Sequence, residues 1–393
     1  MKRAVPAMNE GRISSWKCRC DETAFYRPTW AEIDNKAFVH NLAYIKSRLH
    51  TKTKILAVVK ANAYGHMVVP IARQCEKAGV AMLGVASIEE GIYLREHGIK
   101  MPILILGSIY PLDNLSVVAK HKLIPSISSA QGVIELIRLG ARLKKTMPFH
   151  LKVDTGMGRI GIMPQSAQAL LKKIHGRKEI LMAGMYTHFS SADSNRAYTQ
   201  MQFSKFMEVV KAARKLGMNF TAHCANSAAL LKYPQMHLDM VRPGIALYGL
   251  SPWQKRDKKM DLRPVLAWKT AVVFLKNVKK GTAISYGRAY IAKKPMTIAT
   301  LPVGYADGYS RLLSNKADVL VRGRRCRVIG LVTMDMLMVD VTRVPGAAIG
   351  DEVALVGAQG KERIRIEDLA AHLGTISYEV ACAISHRVPR IEI

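Results

Sequence analysis

The sequence predicts an α/β protein in which a (β/α)8 barrel of the TIM type is followed by a mostly β C-terminal domain. The first observation behind this prediction is that short apolar runs alternate with amphipathic stretches between about residues 53 and 250, which is typical of repeated βα units. The second is a change after about residue 255 to β-rich sequence with tight turns. The third is the length of 393 residues, which exceeds the size at which one hydrophobic core stops growing.

Eight apolar runs predict the barrel strands, because eight strands with crossover helices close into a barrel. In order they read ILAVVK, AMLGVA, PILILG, LIPSIS, FHLKVDTG, LMAGMYTHF, FTAHCA and VRPGIALYG. Helical signals lie between them, including capping boxes predicted at Ser87 to Glu90 and at Ser128 to Gln131. Apolar residues at helical spacing predict one helix before Gly217 and another ahead of the first strand. They are Phe203, Phe206, Val210 and Ala213 in the former and Phe38, Leu42, Ile45 and Leu49 in the latter.

The C-terminal part of the chain is expected to form the β domain, with a short closing helix near Glu367 to Leu373. Its strand-like runs are LAWKTAVVFLKNV, MTIATLPVGYADGY, DVLVRGRRCRVIGLV, MLMVDV and GDEVALVG. The predicted division is a basic N-terminal tail over 1–28, the barrel over 29–255 and the β domain over 256–393.

The charge of the chain is unusual, because 59 basic and 29 acidic residues give a net charge of +30. Such a charge attracts polyanions without specificity. Basic clusters occur at 255–259, 279–280 and 322–327, but no zinc-finger, RRM or KH pattern accompanies them. We therefore expect no dedicated nucleic-acid function.

The six cysteines are too sparse and irregular for a disulfide framework, which fits a reducing compartment. Cys18 and Cys20 could hold a metal ion, but no second pair with zinc-site spacing follows them, so we expect no metal site. The N-terminal tail has no apolar stretch of signal-peptide length, and no run elsewhere is long enough to span a bilayer. We expect a soluble, cytoplasmic protein without membrane association.

Lys60 closes the first predicted strand and is followed by a loop that carries Tyr64 and His66. A lysine in this place is usually a solvated strand end, yet barrel enzymes carry their chemistry at the C-terminal ends of the strands. Lys60 could therefore be an imine-forming amine. Other polar residues fall at or just beyond the ends of the counted strands, or within the last one, and would converge on the same mouth. They are Lys152, Arg159, His188, Asn226 and Arg242.

Several separated motifs give the chain a specific resemblance to one enzyme family. The motifs are VVKANAYGH, HLKVDTGMGRIG, THFSSAD, NSAA, RPGIALYG, SYGRAY, PVGYADGY, TMDM and GTISYEV. From about Thr29 to the C-terminus, this ordered set resembles the bacterial alanine racemases. The resemblance implies an isomerase of fold type III that depends on pyridoxal phosphate (PLP), interconverts L-alanine and D-alanine by a two-base mechanism, and supplies D-alanine for peptidoglycan in the cell wall. It also implies a homodimer with shared active sites.

The resemblance assigns a role to each matching residue. Lys60 matches the lysine that binds PLP and serves as one base, and Tyr286 matches the second acid/base on the opposite face. Arg242 matches the partner of the pyridine nitrogen, and His188 the histidine that bonds to that arginine. The other matches are the phosphate set Tyr64, Ser227, Gly244, Ile245 and Tyr378, the cofactor neighbour Asn226, the substrate and cofactor contact Arg159, the substrate contacts Tyr305 and Met334, and Lys152, which is carbamylated in some family members.

Alternative functions differ from this interpretation in substrate, in reaction type or in cofactor. A related PLP-dependent racemase of broader or serine specificity is possible, because a pocket rarely excludes one added hydroxyl strongly. Met67 departs from the family, which usually has glycine after AYGH. A diamino acid decarboxylase of the same barrel class is disfavoured by Arg242 and Tyr286, and a single-domain PLP-binding protein by the β domain. Gly156, Gly158 and Gly161 spell a dinucleotide fingerprint, but no suitable acidic residue follows it, so we do not expect a nicotinamide cofactor.

Overall fold

The computed structural model describes residues 26–253 and 260–393, and the chain divides into two compact units. One unit spans Asn35–Arg263 and is called the barrel unit. The other, the β unit, comprises the described residues up to Asp34, including strand β1 (Thr29–Ile33), together with Pro264–Ile393.

The barrel unit contains a closed barrel of eight parallel strands. They are β2 (Lys54–Val58), β3 (Met82–Val85), β4 (Ile103–Ile105), β5 (Ile124–Ile127), β6 (Met147–Lys152), β7 (Ile180–Tyr186), β8 (Thr221–His223) and β9 (Met240–Val241). Each predicted run supplies one strand. The barrel closes where β9 pairs with β2, with Met240 opposite Lys54 and Val241 opposite Ile55. The predicted barrel and its mostly β companion are therefore confirmed.

One helix, α1 (Asn35–Ser47), precedes the first barrel strand, and helices follow most of the barrel strands, as the βα pattern predicts. The latter are α2 (Lys60–Gly65), α3 (Val68–Lys77), α4 (Ile88–Glu96), α5 (Leu115–Lys120), α6 (Ala130–Leu143), α7 (Pro164–Ile174), α8 (Arg196–Lys215) and α9 (Ser227–Lys232). In α8 the predicted apolar residues Phe206, Val210 and Ala213 are buried, and the fourth, Phe203, is half-buried. In α1 the stripe is buried except at Leu49, which lies beyond the end of the helix.

The two predicted capping boxes differ in outcome. Ser87 is the N-cap of α4 and accepts a hydrogen bond from the backbone N–H of Glu90, which is one half of the predicted box. The other half is not formed, because the Glu90 carboxylate accepts from the backbone N–H of Ala86 rather than from that of Ser87. The second helix, α6, is capped one residue later than predicted, because Ser129 rather than Ser128 accepts from the backbone N–H of Gly132. Ser128 follows strand β5 directly, so the chain needs one further extended residue before the helix begins.

The β unit is built on a ten-stranded sheet and a two-stranded hairpin. Its further strands are β10 (Leu266–Ala271), β11 (Phe274–Val278), β12 (Ala283–Ile284), β13 (Tyr290–Ile291), β14 (Met296–Leu301), β15 (Asp318–Val321), β16 (Arg324–Ile329), β17 (Leu337–Asp340), β18 (Glu352–Gln359), β19 (Glu362–Ile364) and β20 (Arg390–Glu392). The sheet order is β11-β14-β17-β16-β15-β18-β10-β1-β20, with β19 added to β18. Helix α10 (Ile366–Leu373) matches the predicted closing helix, and α11 (Ser377–Ala383) follows it.

Strand β1 lies in a different unit from the one that the sequence pattern assigns to it. It was expected at the start of the barrel over 29–255, but it pairs antiparallel with β10, where Thr29 lies opposite Thr270. The buried hydroxyl groups of these two threonines are 2.8 Å apart. The division by contacts also places the boundary between Arg263 and Pro264 rather than at 255. The pairing joins residues more than 230 positions apart, so local patterning gives no sign of it.

The expectations about charge and metal binding can be compared with the structure only where the residues concerned are described. Cys18, Cys20 and the basic cluster at 255–259 lie outside the described residues. In the cluster at 322–327, Arg322, Arg325 and Arg327 each pair with a carboxylate, those of Asp351, Glu362 and Asp318 respectively.

Within the part of the chain that the structure describes, no group of three or more His, Cys, Asp or Glu side chains could hold a metal ion. No helix in the same part combines the length and apolar character that a membrane crossing needs.

The cap of α6 gives a direct test of the fold at the level of one hydrogen bond. Ser129→Ala should lower the free energy of unfolding by about 1 kcal/mol, because it removes the acceptor for the Gly132 N–H. Ser128→Ala is the matched control and should change it much less. Equilibrium denaturation with urea measures both. A larger loss in Ser128→Ala than in Ser129→Ala would show that the helix starts at the earlier serine.

Candidate active site

Lys60 lies at the mouth of the barrel, at the start of an unusual turn. Helix α2, which begins at Lys60, is left-handed over four residues, since Ala61, Asn62, Ala63 and Tyr64 have φ angles of 52° to 55°. This conformation costs roughly 1–2 kcal/mol per residue with a side chain. The buried His66 donates from Nδ1 to the carbonyl of Tyr64 at 2.7 Å and helps to hold the turn. Strain of this kind is characteristic of functional segments.

Glu90, in the first turn of α4, anchors the same turn. One carboxylate oxygen accepts from the backbone N–H of Ala61 at 2.7 Å, and the other accepts from Ala86, just after β3, at 2.6 Å. The sequence pattern identified Glu90 only as the N3 residue of a capping box, where its carboxylate would accept from the backbone N–H of the N-cap residue. The carboxylate instead ties the residue after Lys60 to the end of the next strand.

Arg242 is buried at the end of β9, with 3% of its surface exposed. Its guanidinium donates to the carbonyls of Thr187 at 2.7 Å and Cys224 at 3.2 Å. It also lies 3.0 Å from Nδ1 of His223 and 3.4 Å from Nδ1 of His188. Burial lowers the pKa of Arg242, but a guanidinium stays protonated in proteins and has no acceptor. Arg242 is therefore a fixed cationic donor that links the ends of three strands.

Two further histidines extend this network into the barrel. Because Arg242 can only donate, His223 accepts at Nδ1 and carries its proton on Nε2, which lies 2.9 Å from Nδ1 of His150. Burial, followed by the charge of Arg242, lowers the pKa of His150 to about 3 and that of His223 well below its ordinary value. Both imidazoles are therefore neutral at physiological pH.

The packing around these histidines is tight. The ring of Tyr186 stacks on His223 with centroids 4.9 Å apart. A Cβ at Gly184 would lie 2.4 Å from the His150 ring, so only glycine fits there. Neither His150 nor His223 was predicted as a site residue, although both stand within counted strand runs. Their only signal was a polar residue inside an otherwise apolar strand.

Lys152, Arg159 and His188 bring further basic side chains to the mouth. Lys152 is 5% exposed, and its ammonium group donates to the carbonyl of Leu106 at 3.2 Å. Burial lowers the pKa of Lys152 to about 7, and the charges of Arg159, Arg242 and Lys60 contribute to the shift. Burial and the same cations, together with Lys152, hold the pKa of His188 well below its ordinary value. These predicted residues are therefore close enough to influence one another.

The glycine-rich segment after β6 forms a loop around Asp154. The carboxylate accepts from the backbone N–H groups of Gly156, Met157, Gly158 and Arg159 at 2.8 to 3.2 Å. Burial alone would raise the pKa of Asp154, but these donors together lower it. The loop thus positions Arg159, and its glycines serve the Asp154 turn, since the next helix, α7, begins only at Pro164.

The predicted phosphate residues of the barrel unit converge at the ends of β2, β8 and β9. The hydroxyl of the buried Ser227 accepts from the backbone N–H of Gly244 at 2.9 Å. A Cβ at Gly244 would lie 2.5 Å from the Tyr64 hydroxyl, so glycine lets the two segments meet. Ile245 begins a short 3-10 helix, and Asn226 caps α9 by accepting from Ala229 at 3.0 Å. Hydroxyl and amide groups gathered in this way are typical of a phosphate site.

Four predicted residues lie in the β unit. Tyr286 is 70% exposed in a 3-10 turn over Tyr286–Arg288. Tyr305 and Met334, which are 43% and 52% exposed, lie on adjoining segments, because the backbone N–H groups of Tyr305 and Ala306 donate to the carbonyls of Thr333 and Met334. Tyr378 stands in the first turn of α11 and is half-buried.

Comparisons with known proteins agree with this architecture. The family model described as "Alanine racemase, N-terminal domain" matches residues 33–252, and "Alanine racemase, C-terminal domain" matches residues 265–392. Alanine racemase of Halothermothrix orenii is 46% identical over 366 residues, covering 93% of this chain and 96% of the relative. That of Desulfovibrio desulfuricans is 45% identical over 372 residues, with 94% and 99% coverage.

Solved structures give the same result. Alanine racemase of Clostridium difficile 630 superposes with a TM-score of 0.88 at 37% identity, covering 94% of this chain and 97% of that chain. The Bacillus anthracis structure, described as having bound L-Ala-P, gives 0.86 at 38% identity, with 94% and 96% coverage.

The buried histidines make stability depend on pH in a defined direction. Their pKa values are lowered on folding, so between about pH 6.5 and the folded value of about 3 for His150 the unfolded chain binds protons that the native chain does not. Stability should therefore fall as the pH falls through this range, by at most roughly 1.4 kcal/mol per pH unit for each histidine.

Thermal unfolding at pH 7 and pH 5 measures this effect. His150→Asn should reduce the loss of Tm between the two pH values, since an asparagine cannot take up a proton there. His50→Gln, at an exposed histidine, is the matched control. Equal pH dependence in the wild type, His150→Asn and His50→Gln would contradict the neutral, buried state of His150.

Proposed function

This chain belongs to the alanine racemase family and is an isomerase that interconverts L-alanine and D-alanine; we propose that it does so with PLP held at Lys60 and with Lys60 and Tyr286 as its two bases. The observation that carries this proposal is the gathering of Lys60, Lys152, Arg159, His188 and Arg242 at one barrel mouth. A site this rich in basic side chains, including the guanidinium groups of Arg159 and Arg242, suits an anionic cofactor and an amino-acid carboxylate. We further propose that the protein acts in the cytoplasm and supplies D-alanine for peptidoglycan.

The residues of the barrel mouth provide hydrogen-bond donors of the kinds that would bind the phosphate group of PLP. The phosphate would meet the hydroxyls of Tyr64 and Ser227 and the backbone amides of Gly244 and Ile245, with the Gly244 amide exchanging its bond to the Ser227 hydroxyl for one to the phosphate. Tyr378 is the remaining phosphate residue that the family resemblance assigns. The close approach of Tyr64 to Gly244 supports this, because it leaves hydroxyl and amide donors beside each other. When bound, PLP supplies the electron sink that stabilises the carbanion formed by loss of the α-proton.

Arg242 would face the pyridine nitrogen of the cofactor, and its protonation state matters there. Because a guanidinium does not release its proton, Arg242 would offer the ring nitrogen a hydrogen bond but no proton. The electron sink would then be weaker than with a carboxylate partner, which would disfavour side reactions such as transamination. The carbonyls of Thr187 and Cys224 and the neutral His223 hold the guanidinium in place for this role.

The two proton transfers would be divided between Lys60 and Tyr286. The amine of Lys60 would take or give the α-proton on one face of the substrate. The phenol of Tyr286 can do so on the other.

Lys152 has the properties of a lysine that reacts with carbon dioxide. Its pKa of about 7 leaves a substantial fraction of neutral amine at physiological pH. The amine nitrogen would form a bond to the carbon of CO2 and release one proton, giving a carbamate. The new negative charge would compensate Arg159, one of the cations that lower the pKa of Lys152. We propose this modification as a means of orienting Arg159.

A second copy of the chain would complete each site. Several large apolar side chains of the β unit are exposed in the single chain: Tyr286, Tyr305, Met334, Met336 and Ile376. Three of these are the predicted proton-handling and substrate residues. We propose a homodimer in which these side chains reach the barrel mouth of the partner subunit, as in the family.

The first test is activity and cofactor binding in one preparation. The protein purified with PLP should be yellow and should racemise L-alanine and D-alanine in a chiral assay, and Lys60→Ala should abolish both the visible absorbance and the activity. Lys54→Ala, a matched change at the opposite end of the same strand, should leave both unchanged. A yellow protein that racemised serine or lysine but not alanine would overturn the substrate assignment.

The two-base division predicts an asymmetry in hydrogen exchange. In deuterated water, the wild type should incorporate deuterium at the α-carbon of either enantiomer. Tyr286→Phe should lose exchange from one enantiomer by about 100-fold or more while exchange from the other is less affected, since general acid–base groups contribute on this scale. Tyr290→Phe, a neighbouring tyrosine in strand β13, is the matched control. Equal loss for both enantiomers would refute the role of Tyr286.

A further inference from the structure

Asp307 is a fully buried carboxylate in the β unit, and it joins segments that are distant in sequence. Its two oxygens accept from the guanidinium of Arg27 at 2.8 and 2.6 Å, in a bidentate pair. One of them also accepts from the backbone N–H of Gly304 at 3.0 Å. Nε of Arg387 lies 3.6 Å from the other oxygen. A buried carboxylate needs such partners, because an unpaired buried charge is strongly destabilising.

The turn that contains Asp307 also carries Tyr305. This turn is a 3-10 helix over Tyr305–Asp307, and its backbone is bonded to the segment that carries Met334. At Gly304 the two segments come so close that a Cβ would lie 2.2 Å from the carbonyl of Thr333. A shift of Asp307 would therefore move Tyr305 and Met334 together.

Arg387 connects this turn to a second carboxylate. Its Nη2 donates to Asp335 at 2.7 Å, and Asp335 directly follows Met334. The backbone N–H of Ser385 donates to the carbonyl of Asp307 at 3.0 Å, which brings in the chain just after α11. A Cβ at Gly308 would lie 2.2 Å from the carbonyl of Ala383, the last residue of α11. The helix of Tyr378 thus meets the same turn.

We propose that Arg27, Asp307, Arg387 and Asp335 form a positioning network that fixes Tyr305 and Met334 for the substrate carboxylate. Two guanidinium groups and two carboxylates balance in charge, and each ion pair crosses between different segments. Arg27 belongs to the stretch predicted as an N-terminal tail over 1–28, yet its side chain is an essential partner of the buried Asp307. The inference rests on the proposed function, in which Tyr305 and Met334 meet the substrate.

The proposed network predicts an effect on substrate binding that can be measured separately from any effect on protein stability. Arg387→Gln and Asp335→Asn alter the exposed part of the network, where the side chains are 38% and 52% exposed, so both variants should fold. Their KM for alanine should rise about tenfold while kcat changes less than about threefold, since the proton-handling groups are untouched but the carboxylate contacts are displaced. The visible absorbance of bound PLP should be retained.

Variants at the buried pair extend the test. Arg27→Gln should raise KM at least as much as Arg387→Gln, and Arg27→Lys should restore part of the loss because it keeps one charge near Asp307. Arg325→Gln removes an exposed ion pair with Glu362 elsewhere in the β unit, and it is the matched control. That control should leave KM and kcat unchanged.

The outcomes distinguish this inference from the proposed function. A wild-type protein that binds no PLP and racemises no alanine would overturn the proposed function, and the network proposal would fall with it. An active wild type with unchanged KM in Arg387→Gln and Asp335→Asn would overturn the network alone. The network would also be refuted if KM and kcat changed in both variants only in proportion to a lowered Tm, because that pattern indicates a purely structural role.

Discussion

The buried guanidinium of Arg242 is the constraint on which the barrel mouth depends. It is satisfied by two carbonyls and two imidazole nitrogens, which belong to the ends of different strands. Since an arginine can only donate, each of its partners must accept. This requirement sets the tautomer of His223, and through His223 that of His150. The cation also contributes to the lowered pKa values of His150, His188, His223 and Lys152.

The other features of the site follow from the need to hold these groups close together. Gly184 gives room to the His150 ring, and Gly244 allows Tyr64 to approach the end of β9. The left-handed turn after Lys60 is costly, and the carboxylate of Glu90 and the side chain of His66 help to stabilise it. The β unit follows the same principle at Asp307, where one buried charge orders several loops. In both units, a buried ionic group fixes the residues that are proposed to meet the ligand.

Much of this could be predicted from the sequence, because the signals are local. The eight barrel strands appear as apolar runs, and motifs such as VVKANAYGH and RPGIALYG locate Lys60 and Arg242. What escaped prediction depends on partners far along the chain. The pairing of β1 with β10, the Arg27–Asp307 ion pair and the contact between His150 and His223 leave no local pattern. The left-handed turn was also missed, since none of its four residues is a glycine that would signal positive φ.

The central claim is that Arg242 acts as a cationic donor that orients the histidines beside it, which burial and then the charge of Arg242 keep neutral. Nitrogen-15 NMR of the protein labelled at histidine, recorded from pH 8 down to pH 5, tests it most directly because it reports the proton on each ring nitrogen. The structure predicts that His223 stays neutral throughout, with its proton on Nε2 and an unprotonated Nδ1 facing Arg242. A His223 that gained charge near the ordinary pKa of 6.5, or that carried its proton on Nδ1, would contradict the claim.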